Sequence, residues 1–124
     1  MAQYPIHRFR TPKDGLGVPQ DENHLLIEWF KGDARVVFSF TKKEVVNGKF
    51  ALDCHFAANK KALRLIKESF DDFTSMVQTE MPCCRMLLAN IKKPSVKRLV
   101  TKCGFVYLGD IENNHYYVRK LWAE

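Results

Sequence analysis

The sequence predicts a single α+β domain with one mixed sheet, an antiparallel meander followed by a β-α-β-α unit and a terminal β-hairpin. Three observations carry this. Asn47-Gly48 stands between Val45-Val46 and Lys49-Phe50, a strong hairpin signal because both turn residues accept positive φ. From Lys60 to Thr79 the apolar residues are Ala62, Leu65, Ile66, Phe70, Phe73, Met76 and Val77, the i, i+3, i+4 stripe of an amphipathic helix. The last third, Cys84 to Leu121, runs as an apolar strand, a short helix closed at Cys103-Gly104-Phe105, and two β-like runs around Asn113-Asn114.

The totals agree with one domain spanning 1–124, without repeats, low-complexity tracts or linkers. Apolar residues make up 46% and charged residues 27%, the balance of a soluble globular protein. Nine Phe, two Trp and four Tyr supply a core that needs neither disulfides nor a metal. The net charge of +6 and pI near 9.2 give a surface that attracts anions. Nucleic acid, acidic lipid, a phosphorylated cofactor such as coenzyme A, or simply solvent all fit such a surface. The cysteines stand at 54, 83, 84 and 103, and adjacent Cys83 and Cys84 form no ordinary disulfide framework. Met1–Arg10 lacks the apolar stretch of a signal peptide, and no run is long enough to cross a bilayer. The expected setting is a reducing cytoplasm with no membrane partner.

Along the chain, residues 1–23 read as largely irregular, with a short edge strand around Tyr4–Phe9 and a loop punctuated by Pro12, Gly15, Gly17 and Pro19. His24–Lys31 is a strand rich in Leu, Ile, Trp and Phe. Gly32-Asp33 turns the chain into a long strand, Ala34–Val46, paired through Asn47-Gly48 with a strand over 49–57. Asn59 caps the helix over 60–79, with Asp71 and Asp72 opposite its apolar stripe, and Pro82 blocks its continuation. Cys84–Ala89 is a buried strand, and the intervening helix lets it run parallel to strand 49–57. Pro94 opens a helix reaching Lys102, and Gly104 caps it. Phe105–Ile111 and His115–Trp122 form the final hairpin about Asn113-Asn114.

This order, and above all the stretch Ala89-Asn90-Ile91-Lys92-Lys93-Pro94-Ser95 through Cys103-Gly104-Phe105 to Asp110, resembles the C-terminal two-thirds of GNAT (GCN5-related N-acetyltransferase) proteins over roughly 34–121. It is similar to the small, divergent GNAT-like proteins of tailed bacteriophages, internal virion proteins among them. The resemblance implies a GNAT-like fold with a reduced N-terminal helical region, and acetyl-CoA as cofactor. Its pantetheine arm would insert where strands 49–57 and 84–89 part. The implied cofactor-binding residues are Phe56, Ala57, Ala58, Asn59, Lys60, Lys61 and Ala62, with Asn90, Lys93, Ser95 and Arg98. At the start of the long helix, free amides and the helix dipole would favour the diphosphate, and Lys60 and Lys61 add charge there; they also fit an ordinary solvated first turn. The family's glycine-rich loop is not matched beyond Ala62, as no Gly lies between 49 and 103. Val100 stands where many members carry a tyrosine general acid.

Acyl transfer to an amine needs a base for the ammonium proton. Along strand 49–57, Phe50, Leu52, Cys54 and Phe56 share one face while Asp53 and His55 share the other. Asp53 and His55 are the candidate catalytic pair, with Tyr107 on the final hairpin as a third candidate; the pattern reads more readily as a polar pair on a partly exposed sheet face or a hydrogen-bonded core histidine. Tyr116 and Tyr117, being adjacent, point to opposite faces. Lys92, Lys93, Lys97, Arg98 and Lys102 form a basic cluster that suits a 3′-phosphate, a nucleic acid backbone or solvent. The cysteine and histidine spacing has no Cys-x-x-Cys unit, so no metal site is expected. Three functions therefore compete. One is an N-acetyltransferase acting on an amine of a protein or small molecule, in a host cytoplasm if phage-encoded. Another is a catalytically empty module that joins a virion or binds a host protein. The third is a nucleic-acid binder using residues 92–102.

Overall fold

The computed structural model describes residues 4–122. In chain order the strands are β1 (Phe9–Arg10), β2 (Leu25–Lys31), β3 (Ala34–Val46) and β4 (Lys49–Ala58), then, after helix α1 (Ile66–Glu80), β5 (Cys84–Asn90). Helix α2 (Pro94–Lys102) and the hairpin β6 (Val106–Ile111) and β7 (Asn114–Lys120) complete the chain. They build one seven-stranded mixed sheet in the order β1-β2-β3-β4-β5-β7-β6. Only β4 and β5 run parallel, joined by α1, as a crossover helix permits. This is the α+β architecture expected from the sequence.

The turns follow from residue chemistry. Asn47 and Gly48 adopt φ of 52° and 78°, the left-handed pair that suits the twist of β3 and β4. Pro94 fills the first turn of α2, and Gly104 closes it with φ of 90°.

The core lies between the sheet and α1. Phe38 and Phe40 of β3 and Phe50, Leu52 and Cys54 of β4 are buried against Phe70, Phe73 and Val77 of α1. Phe38 stacks on Phe73 at 4.1 Å, while Phe70 meets Phe38, Phe56 and Phe105 edge to face at 5.2, 4.9 and 5.7 Å. Phe105, just beyond α2, thereby ties the final helix and hairpin to α1. Arg119 of β7 reinforces the joint, donating to the Cys103 carbonyl at 2.8 Å and pairing with Asp71.

Residues 11–24 contain no helix and run across the other face, where the Ser39 hydroxyl donates to the Pro19 carbonyl at 2.6 Å and Val18 is buried. On that face Glu28, 1% exposed, is held by Arg35, whose Nε donates at 2.7 Å, and by Arg10. A buried carboxylate survives only with such partners.

Four local expectations are corrected. The helix predicted from Lys60 begins as a 3-10 helix over Lys60–Leu65, because the Ala62 amide bonds to the Asn59 carbonyl at i+3 spacing. Asp72 does not point away from the core: it accepts from the indole of buried Trp29 at 2.8 Å. The second hairpin turns on Glu112 and Asn113, with φ of 50° and 69°, leaving Asn114 to pair with Ile111. The N-terminal strand is only Phe9–Arg10, since Ile6–Arg8 coil into a 3-10 turn closed by the Arg8 amide on the Pro5 carbonyl.

Candidate functional site

The parallel pairing of β4 with β5 stops at Cys54 opposite Ala89, yet β4 continues to Ala58 while keeping its ladder with β3. The strands part there. The Phe50 amide bonds toward β5, at the Cys83 carbonyl, and the Asn59 amide bonds toward β3, at the Arg35 carbonyl. Because strand groups alternate sides, the amide and carbonyl groups of Phe56 and Ala58 face the opening without a strand partner. Those of Ala57 face β3.

The opening is a cleft of about 660 Å³. Its walls are residues 54–58 of β4, Asn90–Lys93 at the end of β5, Leu63 and Ile66 at the entry to α1, Val96 and Leu99 of α2, and Leu16–Pro19 of the N-terminal segment. The long walls are thus mostly apolar, with cations at one end in Lys92 and Lys93 and an imidazole, His55, at the strand edge. Among the described residues, no ion pair engages Lys92, Lys93, Lys97, Arg98 or Lys102. This basic run therefore presents its charge to incoming anions, with Lys97 also near the Asp110 carboxylate.

Of the residues singled out from the sequence, His55, Phe56, Ala57, Ala58, Asn90 and Lys93 meet at this cleft. Asn59 and Ala62 lie just behind it and are already bonded. The Asn59 side chain accepts from the Ala62 and Arg35 amides at 3.2 and 3.0 Å and donates to the Asp33 carbonyl at 2.7 Å. Ala62 is fully buried, Lys61 pairs with Asp33 at 3.1 Å, and Lys60 is exposed. Asn90 lines the cleft, but its amide is engaged with the final hairpin: it donates to Asn114 Oδ1 and accepts from the His115 amide, each at 2.9 Å. Ser95 and Arg98 are exposed and lie outside the lining.

Asp53 and His55 share a sheet face as expected, but no hydrogen bond joins them among the described residues; His55 instead meets the ring of His24, with centroids 5.7 Å apart. Tyr107 stands outside the cleft, its hydroxyl donating to Asp110 at 2.6 Å, and that bond to a carboxylate raises its pKa above the ordinary phenol value. Val100, in the position where a tyrosine would project, is entirely buried.

Two groups of site residues escape sequence reasoning. Leu16–Pro19 lack periodicity, so nothing in the local pattern places them on the cleft. His24 with Asp21 carries a faint signal, an Asp-x-x-His spacing just ahead of a strand. Burial holds the thiols of Cys54, Cys84 and Cys103 above the ordinary value, which disfavours any of them as a thiolate nucleophile. Among the described residues, no three His, Cys, Asp or Glu side chains converge to hold a metal. Nor is any described helix long and apolar enough to cross a membrane.

No family model matches the sequence, and no curated protein matches it. Solved structures do match the fold. An aminoglycoside N(6')acetyltransferase from Legionella pneumophila superposes with a TM-score of 0.57 at 11% identity, over 82% of this chain and 65% of that one. The N-acetyltransferase PseH of Campylobacter jejuni gives 0.54 at 15% identity, over 81% and 70%. An N-acetyltransferase from Staphylococcus aureus gives 0.55 at 13% identity, over 77% and 67%. The chain spans about two-thirds of the length of these structures. At such identities the likeness shows the fold: the mixed sheet with its two helices is that of GNAT acetyltransferases.

Proposed function

We propose that the chain binds acetyl-CoA in the opening between β4 and β5 and transfers the acetyl group to an amine. The parting of the strands beyond Cys54 and Ala89 carries this reading. The free edge of β4 offers the backbone groups of Phe56 and Ala58 to an amide-bearing chain, in the way a strand pairs with its neighbour. The apolar walls from Ile66, Val96 and Leu99 suit a narrow, extended arm, and Lys92 and Lys93 of the lining supply charge for phosphates, with exposed Lys60 outside it. The donor set therefore fits the cofactor along the arm. At the diphosphate end it is leaner, because the Ala62 amide already bonds to Asn59. There, lysine side chains rather than glycine-loop amides carry the attraction.

Bound acetyl-CoA would supply an activated acyl group and a thiol leaving group. The chain's own contribution is to exclude water along the cleft, to align the arm on β4, and to remove a proton. His55 takes the ammonium proton of the acceptor, freeing the nitrogen lone pair for direct attack without a covalent enzyme intermediate. The test is amine-dependent release of thiol from acetyl-CoA in a Cys83→Ser background, since exposed Cys83 reacts with the same thiol reagents. Release with polyamine, aminosugar or peptide amines supports the reading. No release with any of them, with the protein folded, removes it.

A second reading, a binding module without turnover, draws on the buried Val100 and on Asn59 occupying the Ala62 amide. It expects acetyl-CoA neither to bind nor to raise the melting temperature.

A further inference from the structure

Asp21 and His24 lie in the turn leading into β2. Asp21 Oδ1 is 2.7 Å from His24 Nδ1 and also accepts the Asn23 amide at 2.9 Å. The amide fixes the carboxylate. The carboxylate, able only to accept, fixes the proton of His24 on Nδ1. The His24 side chain is only 15% exposed, so its ring is embedded rather than loose. Its ring meets that of His55 at 5.7 Å and 60°. The contact spans β3, where the residue opposite His55 is Ser39, small and with its hydroxyl turned to the Pro19 carbonyl.

We propose that Asp21 and His24 are positioning residues for His55: the Asp21–His24 bond sets the tautomer and orientation of the His24 ring, and that ring holds the His55 imidazole at the edge of the β4–β5 opening. This rests on the acetyl-transfer reading above. Asp53, the neighbour that the strand pattern offers to His55, makes no hydrogen bond to it, so the orienting contact comes from the N-terminal segment instead. When His55 takes the acceptor's proton, the N–H bond of the ammonium breaks and a new N–H bond forms on the imidazole. The Asp21 carboxyl is itself held below its ordinary value by the His24 ring that donates to it.

Nitrogen-detected NMR of the free protein tests the pair without cofactor. The expected spectrum shows His24 protonated on Nδ1 and a ring-to-ring Overhauser contact with His55. In Asp21→Asn, kcat falls about tenfold, a fraction of the 10²–10⁴ that a general base supplies, while the KM for acetyl-CoA is unchanged. His24→Phe, which keeps a ring against His55 but loses the Asp21 bond, loses kcat to the same extent with an unchanged melting temperature. His24 protonated on Nε2 in the wild type, or Asp21→Asn with wild-type kcat, overturns the proposal. Failure to bind acetyl-CoA would instead remove the acetyl-transfer reading and leave the histidine spectra to decide the pair.

Discussion

Replacing Phe70 with alanine removes the residue on which three parts of the fold converge. Its ring is 1% exposed and meets Phe38 of β3, Phe56 of β4 and Phe105 beyond α2, all edge to face. Truncating a buried Phe to Ala costs about 3–5 kcal/mol through lost transfer energy and the cavity left behind. Edge-to-face pairs add about 0.5–1.5 kcal/mol each beyond area burial, which places this site at the upper end, about 4–5 kcal/mol. Small domains have roughly 5–15 kcal/mol in total, so Phe70→Ala should be near the limit of folding. Phe70→Leu keeps most of the apolar volume and removes the three ring pairs, for a loss of about 1.5–4.5 kcal/mol. The assay is urea unfolding, read as a shift of midpoint at constant slope. A second readout follows from Phe56, which lines the cleft: Phe70→Leu should weaken acetyl-CoA binding as well as stability. A loss below about 2 kcal/mol for Phe70→Ala would refute the view that this ring joins β3, β4 and the α2 end into one core.

Three further outcomes follow from the structure. Of the four free thiols only Cys83 is exposed, so the folded protein should react rapidly at one thiol per chain and at all four after denaturation; two or more fast thiols would contradict the burial of Cys54, Cys84 and Cys103. Gly104→Ala should lose about 1–3 kcal/mol, because φ is +90° and the new Cβ would lie 3.3 Å from Arg119 Nε; thermal unfolding reads this, and an unchanged midpoint would place the cap elsewhere. The Asp110 carboxyl is held below its ordinary value of 3.8 by the Tyr107 hydroxyl and by His115. Its contribution is therefore complete above that ordinary value and is lost as pH falls through the lower folded one. Wild type should melt higher than Asp110→Asn near neutral pH, and the gap should narrow and close as pH falls below 3.8 and through the lower folded value; a gap that persists undiminished in acid would contradict this.

Much of the fold is written locally. Asn47-Gly48, the Phe70–Phe73–Val77 stripe, Pro94 and Gly104 each impose one conformation through their own chemistry, so β3, β4 and α2 fall where the pattern places them, and α1 does so beyond its 3-10 start. The misses have a common cause: they depend on partners distant in sequence. Nothing near Asp72 announces that the Trp29 indole will reach it, and nothing near Asn113 shows that Asn114 will be drawn to Asn90 instead of the turn. The site divides the same way. The parity of β4 puts Asp53 and His55 on one face, which a period of two reveals. The contact between His55 and His24 crosses β3 and requires the register of three strands, which no local pattern contains.

The central claim is that the gap between β4 and β5 is a binding cleft for acetyl-CoA. Titration calorimetry with acetyl-CoA, in wild type and in Val96→Trp, tests it most directly, because Val96 lines the cleft and a larger side chain there would fill it. The account predicts saturable binding at one site per chain, with a negative heat-capacity change from buried apolar surface, and its loss in a folded Val96→Trp variant. An absence of heat up to millimolar acetyl-CoA, or equal binding by wild type and Val96→Trp, would contradict it.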